Sequence, residues 1–110
     1  MQPNWKQFSL HPPNSKLASK PILYYDNNLG SLTTLVKLMD KHDCHQLVFS
    51  SSATVYGSAA VPITESTPTG AGITNAYGRT KYMIEEILRD FTRSKGASSD
   101  WSVTILRYFN

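Results

Sequence analysis

The sequence predicts an α/β protein, a parallel sheet with helices packed against it. Three features carry that prediction. Leu32, Leu35, Val36 and Met39 recur at three- and four-residue spacings, as do Tyr77, Thr80, Lys81, Ile84, Leu88 and Phe91, which marks two amphipathic helices. Gln46-Leu47-Val48-Phe49-Ser50 and the run from Trp101 to Phe109 are short, apolar and rich in β-branched residues, and each follows one of those helices. Helix, strand, helix, strand at this spacing is the pattern of right-handed crossover units, so the two strands should run parallel.

At 110 residues the chain has the size of one modest domain. Its apolar fraction of 40% and charged fraction of 17% are ordinary for a globular protein, and no apolar run is long enough to span a bilayer, so a membrane protein is excluded. The net charge of +3 is dispersed, with acids between the lysines and arginines. A nucleic-acid footprint would cluster, so none is expected, while mild basicity suits an anionic substrate. Cys44 is the single cysteine, which excludes an internal disulfide and suits a reducing compartment such as the cytoplasm. It is expected to be a small buried filler. His42, Cys44 and His45 are close in sequence, but a metal site needs more ligands than these neighbours supply, and the segment reads as a helix-to-strand connector.

Taken in order, residues 1–20 contain Pro3, Pro12, Pro13 and three lysines but no acidic residue, with neither regular periodicity nor the apolar core of a secretory signal. They are expected to form an arm without fixed structure. The chain changes character at Pro21, where the first domain-like segment begins and runs to residue 110. Asp26, Asn27 and Asn28 are all residue types that cap helix N-termini, so the first helix is expected to start there and to run to about Lys41. The first strand reads as covered on both faces. Its end, Ser50-Ser51-Ser52-Ala53-Thr54, spills into hydroxyl-rich turns, and residues 57–76 hold too many prolines, glycines and threonines for a regular element. Long loops in compact domains are usually binding loops. The second helix should begin near Tyr77 and present Glu85, Glu86, Arg89 and Asp90 away from the core, ending around Gly96.

The chemistry centres on Asn75-Ala76-Tyr77-Gly78-Arg79-Thr80-Lys81. Tyr77 and Lys81 stand one helical turn apart on the same face. An ammonium beside a phenol favours the phenolate, so Lys81 is expected to bring down the pKa of Tyr77 from its usual value near ~10. Ser52, at the end of the strand, should reach the same phenol. Ligands of open parallel sheets collect outside the carboxyl ends of the strands, which is where Ser52, Tyr77 and the end of the second strand would meet. A Tyr-x-x-x-Lys spacing alone also suits a core tyrosine with a solvated lysine, so the neighbouring motifs decide the matter.

Tyr25-Asp26-Asn27-Asn28, the run from Phe49 to Gly57, Pro68-Thr69-Gly70, Tyr77-Gly78-Arg79-Thr80-Lys81 and Arg107-Tyr108-Phe109-Asn110 together resemble the UDP-glucose 4-epimerases of the extended short-chain dehydrogenase/reductase family. The resemblance covers residues 20–110. It implies a partial Rossmann-like, NAD-binding domain over residues 21–110. It also implies that Tyr77 is the acid–base residue, that Lys81 holds the nicotinamide ribose, and that Ser52 bonds the sugar hydroxyl being oxidised. Asn27 would lie near the cofactor at the end of the preceding strand, Phe109 would touch NAD through its backbone, and Asn110 would contact the nucleotide-sugar. The implied reaction interconverts UDP-glucose and UDP-galactose through a 4-keto sugar. A homodimer is implied for the complete family member.

Dehydratases of the same family usually carry an acidic residue next to the serine equivalent to Ser52. Ala53 and Thr54 stand there instead, which favours epimerisation. UDP-xylose and UDP-arabinose, or another nucleotide-sugar, are alternative substrates under the same resemblance. A catalytically inactive fragment that acts as an interaction partner is the alternative of another class. No Gly-x-x-Gly-x-x-Gly occurs, so the turn that brings backbone amides to a pyrophosphate is missing from this sequence, along with the first βαβ half and the C-terminal substrate part. The chain by itself is therefore expected to bind NAD weakly or not at all.

Overall fold

In a computed structural model, residues 20–109 are described. The expectations for the N-terminal arm and for Asn110 fall outside these residues. Helix α1 spans Pro21–Lys41, strand β1 Gln46–Ser52, a 3₁₀ turn Ala53–Tyr56, helix α2 Ala76–Lys95 and strand β2 Ser102–Tyr108. The strands pair in parallel, with Gln46 opposite Ser102 and Ser52 opposite Tyr108. The predicted α/β order is thus present, and the carboxyl ends of both strands share one edge.

The first helix starts earlier than its capping residues suggest. Pro21 occupies its first turn, where the missing N–H costs nothing, and Lys20 precedes it without a side-chain cap. Asp26, Asn27 and Asn28 are therefore interior helical residues. Tyr24, Asn28, Leu32 and Val36 form the buried stripe of α1, so packing of that stripe overrides the local capping preference. The second helix begins as predicted, because the Asn75 side chain accepts a hydrogen bond from the Gly78 N–H at 2.8 Å. Gly96 ends it, with a backbone conformation at φ +84° that favours glycine.

Leu32, Val36, Phe49, Ile84 and Leu88 form the core, with Leu47, Val103 and Ile105 packed against it. These strand residues all point to the helical side of the sheet. On the other side Val48, Leu106 and Tyr108 are exposed among the described residues, so the expected double cover of β1 is not present. Both helices lie on one face, and the strands alternate in burial as half-covered strands do. Cys44 is exposed, not buried, because it sits in the short turn between α1 and β1. No described helix is long and apolar enough to cross a membrane.

Two polar clusters fasten the ends of the sheet. At the amino end Asp40 of α1 accepts hydrogen bonds from Lys95 Nζ at 2.6 Å and Trp101 Nε1 at 2.9 Å, joining both helices to the start of β2. At the carboxyl end Glu85 is completely buried, contrary to the expectation that it faces solvent with Glu86. Its Oε1 accepts from Ser51 Oγ at 2.6 Å and Arg107 Nε at 3.0 Å, and its Oε2 from Arg107 Nη2 at 2.7 Å and Arg89 Nη2 at 3.0 Å. A buried carboxylate with four charged or polar donors is satisfied, whereas a buried charge without them would be very costly. Burial by itself pushes the Glu85 pKa up, but the bonds from Arg107 and Ser51 and the charges of Arg107 and Arg89 outweigh it and hold the carboxyl below its usual range.

A carboxyl whose pKa is depressed on folding contributes stability above its unfolded value, here about 4.5, and that contribution is lost as pH falls through the folded value. Asp40 and Asp100 are shifted in the same direction, by their bonds to Lys95 and His45 respectively. Thermal unfolding followed from neutral to acidic pH should therefore show a midpoint that is steady above about 4.5 and drops below it. A midpoint that stays level through the acidic range would contradict this.

Candidate active site

The carboxyl edge of the sheet gathers the residues singled out from the sequence. Ser52 is the last residue of β1 and is buried. Its Oγ accepts hydrogen bonds from the Thr54 N–H at 3.2 Å and from Thr54 Oγ1 at 3.0 Å. Both lone-pair directions are thereby occupied, which leaves the Ser52 hydroxyl hydrogen to be donated outward. The Tyr77 phenol is near enough for this hydroxyl to oppose the rise in its pKa. Tyr77 itself stands in the first turn of α2, where the Asn75 cap fixes the direction of the helix start.

Lys81 is one turn further along and is also buried. Its Nζ donates to the Ser50 carbonyl at 2.8 Å and lies 5.6 Å from the centre of the Tyr77 ring and 5.0 Å from that of Phe49. The structure thus brings Ser52, Tyr77 and Lys81 together, as their spacing predicts. The electrostatics differ from expectation. Burial raises the Tyr77 pKa, the Ser52 hydroxyl opposes that in smaller measure, and the neighbouring Tyr24 phenol adds to the rise. Burial also lowers the pKa of Lys81. The expected lowering of Tyr77 by Lys81 is therefore reversed here. The ammonium lies near the aromatic ring and spends a hydrogen bond on a carbonyl, while loss of solvent dominates the phenol.

Phe109 directly follows β2, 70% exposed, with its ring stacked on Tyr56 at 6.5 Å between centres. It is on the same edge as Ser52, because Ser52 pairs with Tyr108. Asn27 is not at the end of a strand. It lies on the exposed side of α1, because the helix already begins at Pro21. Its neighbour Asn28 is the one that turns inward, donating from Nδ2 to Thr80 Oγ1 at 3.4 Å, and Thr80 Oγ1 donates to the Tyr77 carbonyl at 2.7 Å.

The 3₁₀ turn that leaves Ser52 is closed by Gly57 at φ +59°, where a Cβ atom would lie 1.9 Å from the Ala71 carbonyl oxygen. No other residue fits that crossing of the loop over itself. Gly70 N–H then bonds the Val55 carbonyl at 2.9 Å, which ties the long loop beside the strand end. Among the described residues there is no cluster of metal-ligating side chains.

Sequence reasoning missed the inward roles of Glu85, Arg107 and Asn28. A signal for the first two was present. Lys81, Glu85 and Leu88 follow one helical stripe, and Val103, Ile105 and Arg107 alternate along one face of β2.

Comparison with known proteins supplies the family. A model of the "NAD dependent epimerase/dehydratase family" matches residues 14–110. UDP-glucose 4-epimerase 2 of Arabidopsis thaliana is 54% identical over 92 residues, covering 83% of this chain and 25% of the relative. UDP-glucose 4-epimerase of Bacillus subtilis is 52% identical over 91 residues, covering 82% of this chain and 25% of the relative. Among solved structures, UDP-glucose 4-epimerase from Bifidobacterium longum in complex with NAD+ and UDP superimposes with a TM-score of 0.78 at 51% identity, covering 86% of this chain and 28% of that one. The enzyme from Stenotrophomonas maltophila, with bound NAD and formylated UDP-arabinopyranose, gives a TM-score of 0.81 at 35% identity, covering 94% and 30%. The chain spans about a quarter of the length of the curated relatives it matches. Its architecture is that part of their Rossmann-like fold in which Ser52, Tyr77 and Lys81 meet, and the chain belongs to the NAD-dependent epimerase/dehydratase family.

Proposed function

We propose that the edge formed by Ser52, Tyr77 and Lys81 is the proton-transfer centre of an NAD-dependent UDP-glucose 4-epimerase, acting on a UDP-hexose. The observation that carries the reading is the convergence of the three side chains at the carboxyl ends of β1 and β2, on a chain about half identical to named UDP-glucose 4-epimerases. In this reading Tyr77 takes the proton from the sugar 4-hydroxyl and returns it, while Ser52 donates its free hydroxyl hydrogen to the oxygen that changes charge. NAD, when bound, supplies the acceptor and donor of hydride. Asn110 would contact the nucleotide-sugar. A second copy of the complete family member and a cytoplasmic, reducing location belong to the same reading, the latter supported by Cys44 as the single cysteine.

The residues present suit one end of the cofactor. Lys81 uses one of its three N–H donors on the Ser50 carbonyl and keeps two for a ribose, and Phe109 is exposed at the same edge of the sheet, whereas Asn27 stands on the exposed side of α1. For the pyrophosphate end this sequence holds no glycine-rich turn. The elevated Tyr77 pKa keeps the phenol protonated in this state; its action as a base requires the phenolate, the form that the Ser52 hydroxyl and the nearby Lys81 ammonium favour.

Epimerisation is favoured over dehydration because Thr54, and not an acid, occupies the hydrogen-bonding position beside Ser52. Two measurements test these statements. Calorimetry on the 110-residue chain is expected to detect no NAD binding at a Kd of about 1 μM or tighter, and binding of that strength would overturn the assignment of the pyrophosphate grip to residues outside this sequence. Replacing the matching 91-residue stretch of the Bacillus subtilis enzyme with this chain's residues should preserve UDP-galactose turnover, read by coupling to UDP-glucose dehydrogenase. Tyr77→Phe in that graft should cut kcat by about 10²–10⁴-fold. A graft that retains NAD and UDP but does not turn over, or a phenylalanine variant as active as its parent, would refute the proposal.

A further inference from the structure

We propose that Glu85 and Arg107 are positioning residues for the proton-transfer edge: one buried ion pair fixes Ser52 and Phe109 relative to Tyr77. The inference rests on the reading of that edge as a proton-transfer centre. Its geometry is a single connected path. Glu85 is one helical turn beyond Lys81 on α2, the helix that carries Tyr77. Through Ser51 Oγ, at 2.6 Å, the carboxylate grips the residue before Ser52, and it does so at the last hydrogen-bonded pairs of the sheet. Through Arg107, at 2.7 and 3.0 Å, it grips β2 two residues before Phe109.

The same guanidinium continues outward. Arg107 Nη1 donates to the Tyr56 hydroxyl at 2.9 Å and its carbon lies 4.9 Å from the centre of the Tyr56 ring, which in turn stacks on Phe109. Tyr56 closes the 3₁₀ turn whose first residues hold Ser52. Oε1 is thus shared between the strand that ends in Ser52 and the strand that leads to Phe109, Oε2 holds Arg107 a second time, and the backbone carrying them is the helix of Tyr77. Bidentate pairing of a planar guanidinium restricts orientation as well as distance, which a lysine would not reproduce. A purely stabilising core position would be better served by an apolar residue of similar volume. A charged network here instead sets the relative placement of three segments.

Arg89 provides the internal control. It bonds Glu85 Oε2 at 3.0 Å from the opposite, half-exposed side, and it touches neither strand end through that bond. The test labels tyrosine ring carbons in the 110-residue chain and follows the Tyr77 phenol by NMR through its titration, with Tyr77→Phe identifying its signal among the six tyrosines. Ser51→Ala removes only the link between Glu85 and β1, and Arg107→Lys keeps the charge while removing the fork. Both should move the Tyr77 midpoint further upward, because displacement of Ser52 weakens its opposing influence on the phenol, whereas Arg89→Ala should leave it in place. Midpoints for Ser51→Ala and Arg107→Lys that coincide with that of the unaltered chain would overturn the proposal even if both variants melt at lower temperature. Should Arg107→Lys lose its dispersed spectrum, Ser51→Ala, which retains both charges, decides the matter. Because the readout needs neither NAD nor sugar, it separates from the turnover of the graft: a moving phenol with an inactive graft would refute the enzymatic reading alone.

Discussion

Glu85 and Arg107 form the interaction on which the arrangement of this protein depends. A carboxylate with no exposure to water is tolerable only when its oxygens are fully bonded, and here Ser51, Arg107 and Arg89 supply the donors. Those donors come from β1, β2 and α2, so satisfying one charge requires three segments to occupy one relative position. The neighbouring hydrophobic core could not impose that by itself. Ile84, Leu88 and Phe49 exclude water, but apolar contacts are non-directional and would permit the strand ends to slide. The ion pair removes that freedom at the edge where Ser52, Tyr77 and Lys81 meet.

The opposite end of the sheet repeats the device with different chemistry. Asp40 collects Lys95 and Trp101, while Phe91 meets Trp101 edge-on at 4.8 Å. The amino end is thereby closed by a half-exposed cluster that water can screen. The carboxyl end is closed by a dry one. This asymmetry matters for chemistry, because groups beside the dry cluster feel loss of solvent more strongly than they feel each other. Tyr77 and Lys81 are both shifted toward their neutral forms by burial, although a simple pairwise view of phenol and ammonium predicts mutual charging.

The helix and strand order, the parallel sheet and the meeting of Ser52, Tyr77 and Lys81 were legible in the sequence because each rests on short spacings. Four residues along a helix, or the alternation of a strand, place side chains with little help from the rest of the chain. The start of α1 was not legible from Asp26, Asn27 and Asn28, since the buried stripe from Tyr24 to Val36 outweighs their local preference for caps. Glu85 was hidden for a related reason. Beside Glu86, Arg89 and Asp90 it reads as one more surface charge, and its partners lie 22 and 34 residues away in the chain. Cys44 reads as a buried filler by residue type, but the turn it occupies faces water.

The most direct check on this account is a double-mutant cycle in unfolding free energy between Glu85 and Arg107, using Glu85→Gln and Arg107→Met. Glu85→Gln leaves Arg107 without its carboxylate and Arg107→Met leaves Glu85 with Arg89 as its one remaining cation, against losses of about 3–5 kcal/mol for a buried charge stripped of its partner, whereas the double change removes both charges of the pair together. The account predicts that the double variant is more stable than the sum of the two losses implies, by more than about 1 kcal/mol. Losses that add to within about 0.5 kcal/mol would show that the two side chains act independently, and the view of this pair as the constraint that holds the site together would be wrong.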